Sequence, residues 1–86
     1  MSQPHPINHY LYFGDKGDAR KAGKLLGGEG YAVDVRRGAE RRDWLVLAAH
    51  VAVPSPETIA HTAAKMEALA ASFRGEYDGW EAQVVR

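Results

Sequence analysis

The chain has 86 residues, with 11 basic and 11 acidic side chains and no cysteine. This length supports one domain, and the zero net charge argues against a general polyanion-binding protein, whose affinity depends largely on Lys and Arg. The absence of cysteine excludes disulfide bonds, thiol nucleophiles and thiolate metal sites.

Residues 1–7 include two prolines and are predicted to form an extended arm, followed by a single domain at residues 8–86. The arm lacks the basic and apolar pattern of a signal peptide, and no apolar run in the chain approaches the ~20 residues of a membrane span. We therefore expect a cytoplasmic protein that makes no contact with a membrane.

The first predicted strand is 8–13, a short aromatic segment that ends at Gly14. Because side chains alternate along a strand, Tyr10 and Tyr12 share one face and His9, Leu11 and Phe13 share the other. Asp15 is the predicted N-cap of a helix. Small and apolar residues recur along one side of this helix, namely Ala19, Ala22, Gly23, Leu25 and Leu26.

The next segment, Tyr31–Arg37, alternates between apolar and polar residues and predicts a half-buried strand. A charged hairpin loop at 37–42 leads to the longest apolar segment, 43–53, which predicts a central strand because both of its faces are apolar. Ser55 is the predicted N-cap of a second helix, whose apolar stripe continues to Phe73 and which ends at Gly75. Alternation over 77–85 predicts the last strand.

The predicted order is β-α-β-β-α-β. Because β-α-β connections cross over right-handed, both helices lie on the same face of the sheet. The predicted fold is therefore α+β, a ferredoxin-like sandwich of a four-stranded antiparallel sheet and two helices on one face, with the first and third strands central.

The sheet face that points away from the helices is the predicted binding surface. We assign to the helix side Leu11, Phe13, Val33, Val35, Leu45, Leu47, Ala82 and Val84. The predicted partner-binding residues on the other face are Tyr10, Tyr12, Trp44, Val46, His50 and Arg36, with Ala48 among them and Asp34 and Glu81 towards the edges. Aromatic anchors with a charged rim are typical of a protein interface. Coverage by the N-terminal arm or by a second copy of the chain, as a homodimer, is the alternative.

No catalytic, cofactor or metal site is predicted, and we expect a protein that is not an enzyme. Five residues separate Gly17 from Gly23, one more than a phosphate-binding loop allows, and Leu25 stands where Ser or Thr is required. The four histidines do not have metal-ligand spacing, and His50 with His61 would give only two ligands. No Ser or Thr has an adjacent base.

Four segments taken together resemble a known family. They are His9–Phe13, Gly30–Arg36, Asp43–Ala48 and Gly75–Ala82, of which the last, beginning Gly-Glu-Tyr-Asp-Gly-Trp-Glu, is the most specific. The pattern resembles the regulator of ribonuclease E activity B family, the RraB-like ribonuclease E inhibitors. The resemblance implies a ferredoxin-like fold and a non-enzymatic protein that binds ribonuclease E and modulates RNA decay.

The leading hypothesis is thus a regulatory protein that binds a protein partner, possible targets including ribonuclease E. The alternative is an RNA- or small-ligand-binding module that acts through the same sheet face, since the RNA-recognition motif has this fold and stacks bases on sheet aromatics. The third strand lacks the basic-glycine-aromatic signature of that motif, so direct nucleic-acid binding is not expected.

Overall fold

The computed structural model of the protein describes residues 4–38, 43–53 and 55–82. Its elements, in chain order, are β1 (His5–Phe13), α1 (Lys16–Gly28), β2 (Ala32–Arg37), β3 (Trp44–Ala52), α2 (Pro56–Ser72) and β4 (Gly75–Ala82). The strands form one antiparallel sheet in the order β2-β3-β1-β4. The predicted α+β fold, with the first and third strands in the centre, is confirmed.

The first strand is longer than predicted. It begins at His5 rather than Asn8, and His5 and Ile7 pair with Ala52 and His50 of β3. Residues 5–7 therefore belong to the sheet and not to an arm outside it. Residues 39–42 of the predicted charged loop and Val84 of the predicted last strand lie outside the described residues, as do residues 1–3.

Local chemistry accounts for both ends of α2. The Ser55 hydroxyl accepts a hydrogen bond from the Thr58 N–H at 3.2 Å, and Pro56 occupies the first turn, as predicted. At the other end, Arg74 adopts a left-handed backbone with a φ of 59°, so Arg74 and not Gly75 makes the turn. Gly75 instead begins β4, where a side chain would collide with Phe13.

The face of the sheet against the two helices, here the covered face, holds the core. The fully buried members of the main cluster are Leu11, Phe13, Ala19, Ala22, Leu26, Val46, Ala48, Met66 and Ala70. Gly23 lets α1 approach the sheet closely, because a β-carbon there would lie 3.1 Å from the side chains of Val33 and Val35. The apolar stripe of α1 is narrower than predicted, since Leu25 is 50% exposed whereas Leu26 is fully buried.

The orientation of β3 differs from the prediction. Phe13 pairs with Trp44 and Leu11 pairs with Val46, and directly paired residues of antiparallel strands share a face. The residues that consequently lie on the covered face are Trp44, Val46, Ala48 and His50. Leu45 and Leu47 lie on the opposite, open face, so the predicted register of β3 was wrong by one residue and every side chain of the strand changes sides.

Candidate partner-binding surface

The centre of the open face is an apolar and aromatic patch formed by β1 and β3. Tyr10 pairs with Leu47, and Tyr12 pairs with Leu45, so the four side chains are adjacent across the two central strands. We call these four residues the open-face patch. Among the described residues, no helix packs on this side of the sheet, since α1 and α2 contribute their buried side chains to the covered face.

The patch is accessible without being fully exposed. Tyr10, Tyr12 and Leu47 are half-buried, whereas Leu45 is only 8% exposed because its neighbours surround it. A partner would therefore meet side chains that the sheet already holds in place. Such preorganised aromatic and aliphatic groups lose little conformational entropy on binding.

Charged residues border the patch on both sides. On β2, Asp34 and Arg36 pair with Leu47 and Leu45 across the strands and form an exposed ion pair with each other at 3.3 Å. On β4, Glu76 pairs with Tyr12, and Glu81 pairs with Asn8. One border is thus compensated in charge and the other is acidic.

The structure brings together only part of the predicted site. Tyr10, Tyr12 and Arg36 lie on the open face as predicted, but Trp44, Val46 and His50 lie on the covered face. Val46 is completely buried and presents no surface to a partner. Leu45 and Leu47 take the places that the sequence analysis gave to Trp44 and Val46.

Trp44 lies at the edge of the covered face, between two cations. The Lys16 ammonium is 5.0 Å from the ring centroid of Trp44, and the Arg37 guanidinium carbon is 5.6 Å from it. Such contacts contribute about 0.5–1 kcal/mol each at exposed sites. They give Trp44 an intramolecular role in joining the start of α1 to the end of β2.

His50 belongs to a partly buried polar cluster centred on His9, which is itself fully buried. The His9 Nε2 atom is 3.1 Å from Nε2 of His50, and its Nδ1 atom is 3.0 Å from the hydroxyl of Tyr77. Tyr31 packs against His50 with 4.8 Å between ring centroids and an angle of 41° between the ring planes. A neutral His9 donates a hydrogen bond from one ring nitrogen and accepts one at the other. Hydrogen bonds with Tyr77 and His50 therefore satisfy both nitrogens, whichever of the two carries the proton.

Burial sets the protonation state of this cluster. It lowers the pKa of His9 to about 4, with a further contribution from His50, and it lowers the pKa of His50 as well. Burial, together with Glu67 and Tyr31, raises the pKa of Tyr77 to about 12. At neutral pH the cluster is therefore uncharged, and hydrogen bonds join its members within the covered face.

The cluster does not form a metal site in the described part of the chain. The two facing imidazoles provide two nitrogen ligands, and no group of three or more His, Cys, Asp or Glu side chains converges there or elsewhere in that part.

None of the described helices is long and apolar enough to cross a membrane.

Comparison with protein families identifies a matching family. The model of the family described as Regulator of ribonuclease activity B matches residues 1–82, almost the whole chain. The chain belongs to this family. The family resemblance predicted from the four segments is thereby confirmed. A comparison with curated proteins finds no significant match.

Membership gives the open-face patch a functional context. The family comprises regulators of ribonuclease activity, so the expected role of this member is regulatory. A regulator of an enzyme suggests a protein partner, and the open-face patch has the composition of a contact surface for one.

Proposed function

We propose that this protein is a non-enzymatic, cytoplasmic regulator that binds ribonuclease E, or a closely similar ribonuclease, through the open-face patch. The observation that supports this best is the direct cross-strand pairing of Tyr10 with Leu47 and of Tyr12 with Leu45, on the uncovered side of a sheet from a regulator family. Binding there would change the rate of RNA decay without chemistry by the regulator itself.

The composition of the patch supports protein binding over RNA binding. Aromatic and aliphatic anchors surrounded by polar residues are typical of protein interfaces. Among the described residues, Arg36 is the cation on the open face, and it already forms an ion pair with Asp34. The β4 border of the face is acidic. An RNA-binding sheet needs unpaired cations to hold phosphates beside its stacking aromatics.

Calorimetric titration of purified ribonuclease E with the parent chain and with Tyr10→Ala and Leu47→Ala variants tests the proposal. We expect each truncation to weaken binding at least about tenfold, because central interface anchors usually contribute the most binding energy. The matched control is Trp80→Ala, which removes a 42% exposed aromatic side chain on β4. Trp80 pairs with His9, so it lies on the side of the sheet opposite to the patch and the control should bind like the parent.

Equal losses in all three variants, or none, would contradict the open-face patch as the binding surface. A parallel titration with a mixed-sequence single-stranded RNA, at low and high salt, tests the alternative. Salt-sensitive RNA binding that depends on Tyr10 would favour the RNA-binding module instead.

A further inference from the structure

A second surface lies on the helical side of the molecule, where α1 faces the end of α2. It is an open groove of about 620 Å³, lined by Lys21, Lys24, Leu25, Gly28, Glu29 and Phe73. The α1 members follow one another at helical spacing, so they form one stripe about 10 Å long at 1.5 Å rise per residue. The groove is on the opposite side of the sheet from the open-face patch and does not share residues with it.

The groove exists because α1 lacks side chains at its end that could fill it. A β-carbon placed on Gly28 would meet no heavy atom within 4 Å, so the space above this residue is open. Leu25, which is 50% exposed, and the half-buried Phe73 provide apolar surface. Leu25 and Phe73 therefore give the open space an apolar floor.

The net charge of the residues that line the groove is positive once ion pairs within the protein are taken into account. Glu29 forms an ion pair with Lys65, so its carboxylate is already compensated. Lys21 and Lys24 are both exposed, and neither forms an ion pair with a described residue. The groove therefore combines an apolar floor with two uncompensated ammonium groups on α1.

We propose that this groove binds a short acidic segment of a partner protein, in which one or two apolar side chains contact Leu25 and Phe73 and flanking carboxylates pair with Lys21 and Lys24. Charge complementarity selects acidic residues over basic ones. The open shape selects a peptide over a small molecule, because small-molecule sites usually enclose most of their ligand. An amphipathic segment lying in a groove between elements is a common mode of peptide recognition.

The test uses the full chain and three fluorescein-labelled synthetic peptides of equal length. The first has two leucines flanked by glutamates, the second has the glutamates replaced by lysines, and the third has the leucines replaced by serines. Fluorescence anisotropy should show binding of the first peptide at least about tenfold tighter than binding of the other two.

Two matched pairs of variants locate the site. Gly28→Leu fills the groove and should weaken binding of the first peptide at least about tenfold. Gly27→Leu makes the same change at a neighbouring helical glycine that also has open space but does not line the groove, and it should bind like the parent. Lys24→Glu should likewise weaken binding, whereas Arg20→Glu, an exposed cation of α1 outside the groove, should have less than about a threefold effect.

Several outcomes would overturn the inference. They are equal binding of all three peptides, no binding of any peptide, and equal effects of the two glycine variants. Displacement of the first peptide by dodecanoate at a site that depends on Gly28, without a preference for acidic peptides, would also overturn it. A concentration-dependent dimer that Gly28→Leu abolishes would identify a second copy of the chain as the occupant and would also contradict it. None of these measurements involves the open-face patch, so Tyr10→Ala should bind the first peptide as the parent does.

Discussion

The two faces of the same sheet differ in what their residues do, although alternate positions of the same two strands supply both. On the covered face, β1 contributes five buried residues in succession at every second position, from His5 to Phe13. On the open face, the intervening residues, which include Tyr10 and Tyr12, are all half-buried. Stability therefore depends mainly on one set of side chains, and recognition is proposed to depend on the other.

The polar groups are also divided unequally between the faces. The covered face contains a neutral histidine–tyrosine cluster held by hydrogen bonds, whereas the open face has its charges at the borders of an apolar patch. A buried imidazole in such a cluster affects stability through its protonation state. An exposed charge beside a patch affects mainly the rate and specificity of association.

Truncation of one leucine on each face gives the largest expected contrast. Leu11→Ala removes a completely buried side chain on the covered face and should lower the free energy of unfolding by about 3 kcal/mol. Leu47→Ala removes a half-buried side chain on the open face and should lower it by no more than about 1 kcal/mol. Urea denaturation monitored by circular dichroism measures both values.

Similar values for the two variants would mean that the two faces contribute equally to stability. A loss of more than about 2 kcal/mol in Leu47→Ala would mean that the open face is covered within the isolated protein, by its own chain or by a second copy. Repeating the measurement over a range of protein concentrations separates these two cases, since only the second depends on concentration.

Gly75, at the start of β4, and Gly14, directly after β1, differ in the space available for a side chain. A β-carbon on Gly75 would lie 2.3 Å from the buried Phe13 ring and 2.7 Å from the Tyr12 carbonyl oxygen, and neither neighbour can move away easily. Gly75→Ala should therefore cost about 2–3 kcal/mol of stability, in the upper range for an overpacked core. Thermal or urea denaturation is the measurement.

Gly14→Ala is the control for this prediction. Gly14 ends β1 at an exposed position where a β-carbon would meet nothing within 4 Å, and its change should stay within about 0.5 kcal/mol. If both variants had the stability of the parent, the close approach of β4 to Phe13 would not be a constraint on the fold.

The sequence was sufficient to predict the sheet order and the faces of two strands. In β1 and β2, one face is more apolar and the other contains tyrosines, charges or asparagine, so alternation assigns Leu11 and Val33 to the covered face. The serine–proline start of α2 identifies its first turn by the same local logic. These elements were predicted because each has one chemically distinct side.

β3 could not be oriented in the same way. Both of its faces are apolar, so the register of its pairing with β1 and β2 decides which one is covered, and alternation within β3 does not reveal that register. A shift of one residue in this register places Leu45, instead of Trp44, on the open face. Trp44 was predicted on the open face as an aromatic anchor, but it lies on the covered face between Lys16 and Arg37.

The histidine cluster was only half visible in the sequence. Alternation along β1 predicted His9 on the covered face, but its partners His50 and Tyr77 come from positions 41 and 68 residues away. Long-range partners of this kind follow from strand register and from the path of β4. The open-face position predicted for His50 separated it from His9, so the register error concealed the cluster.

Lowering the pH should reduce the free energy of unfolding, because the histidine cluster is neutral in the folded protein. The pKa of His9 is about 4 in the folded protein, below its ordinary value of 6.5, so the unfolded chain takes up a proton first as the pH falls. The stabilising effect of neutral His9 is therefore complete above about pH 6.5 and is lost as the pH falls towards 4. The lowered pKa of His50 acts in the same direction. By linkage, His9 alone should cost about 2 kcal/mol between pH 8 and pH 5.

The measurement is the free energy of unfolding from urea titrations at several pH values between 8 and 4.5, in the parent and in a His9→Gln variant. Glutamine can still donate and accept hydrogen bonds but does not titrate, so the variant should be less stable at pH 8 and should lose less stability on acidification. The difference between the two curves isolates His9 from the carboxylates, which titrate in both proteins. Parallel curves would mean that His9 is already solvated and titrates near its ordinary pKa. In that case, the covered face would differ from the open face in packing alone, and its buried polar groups would not make folding dependent on pH.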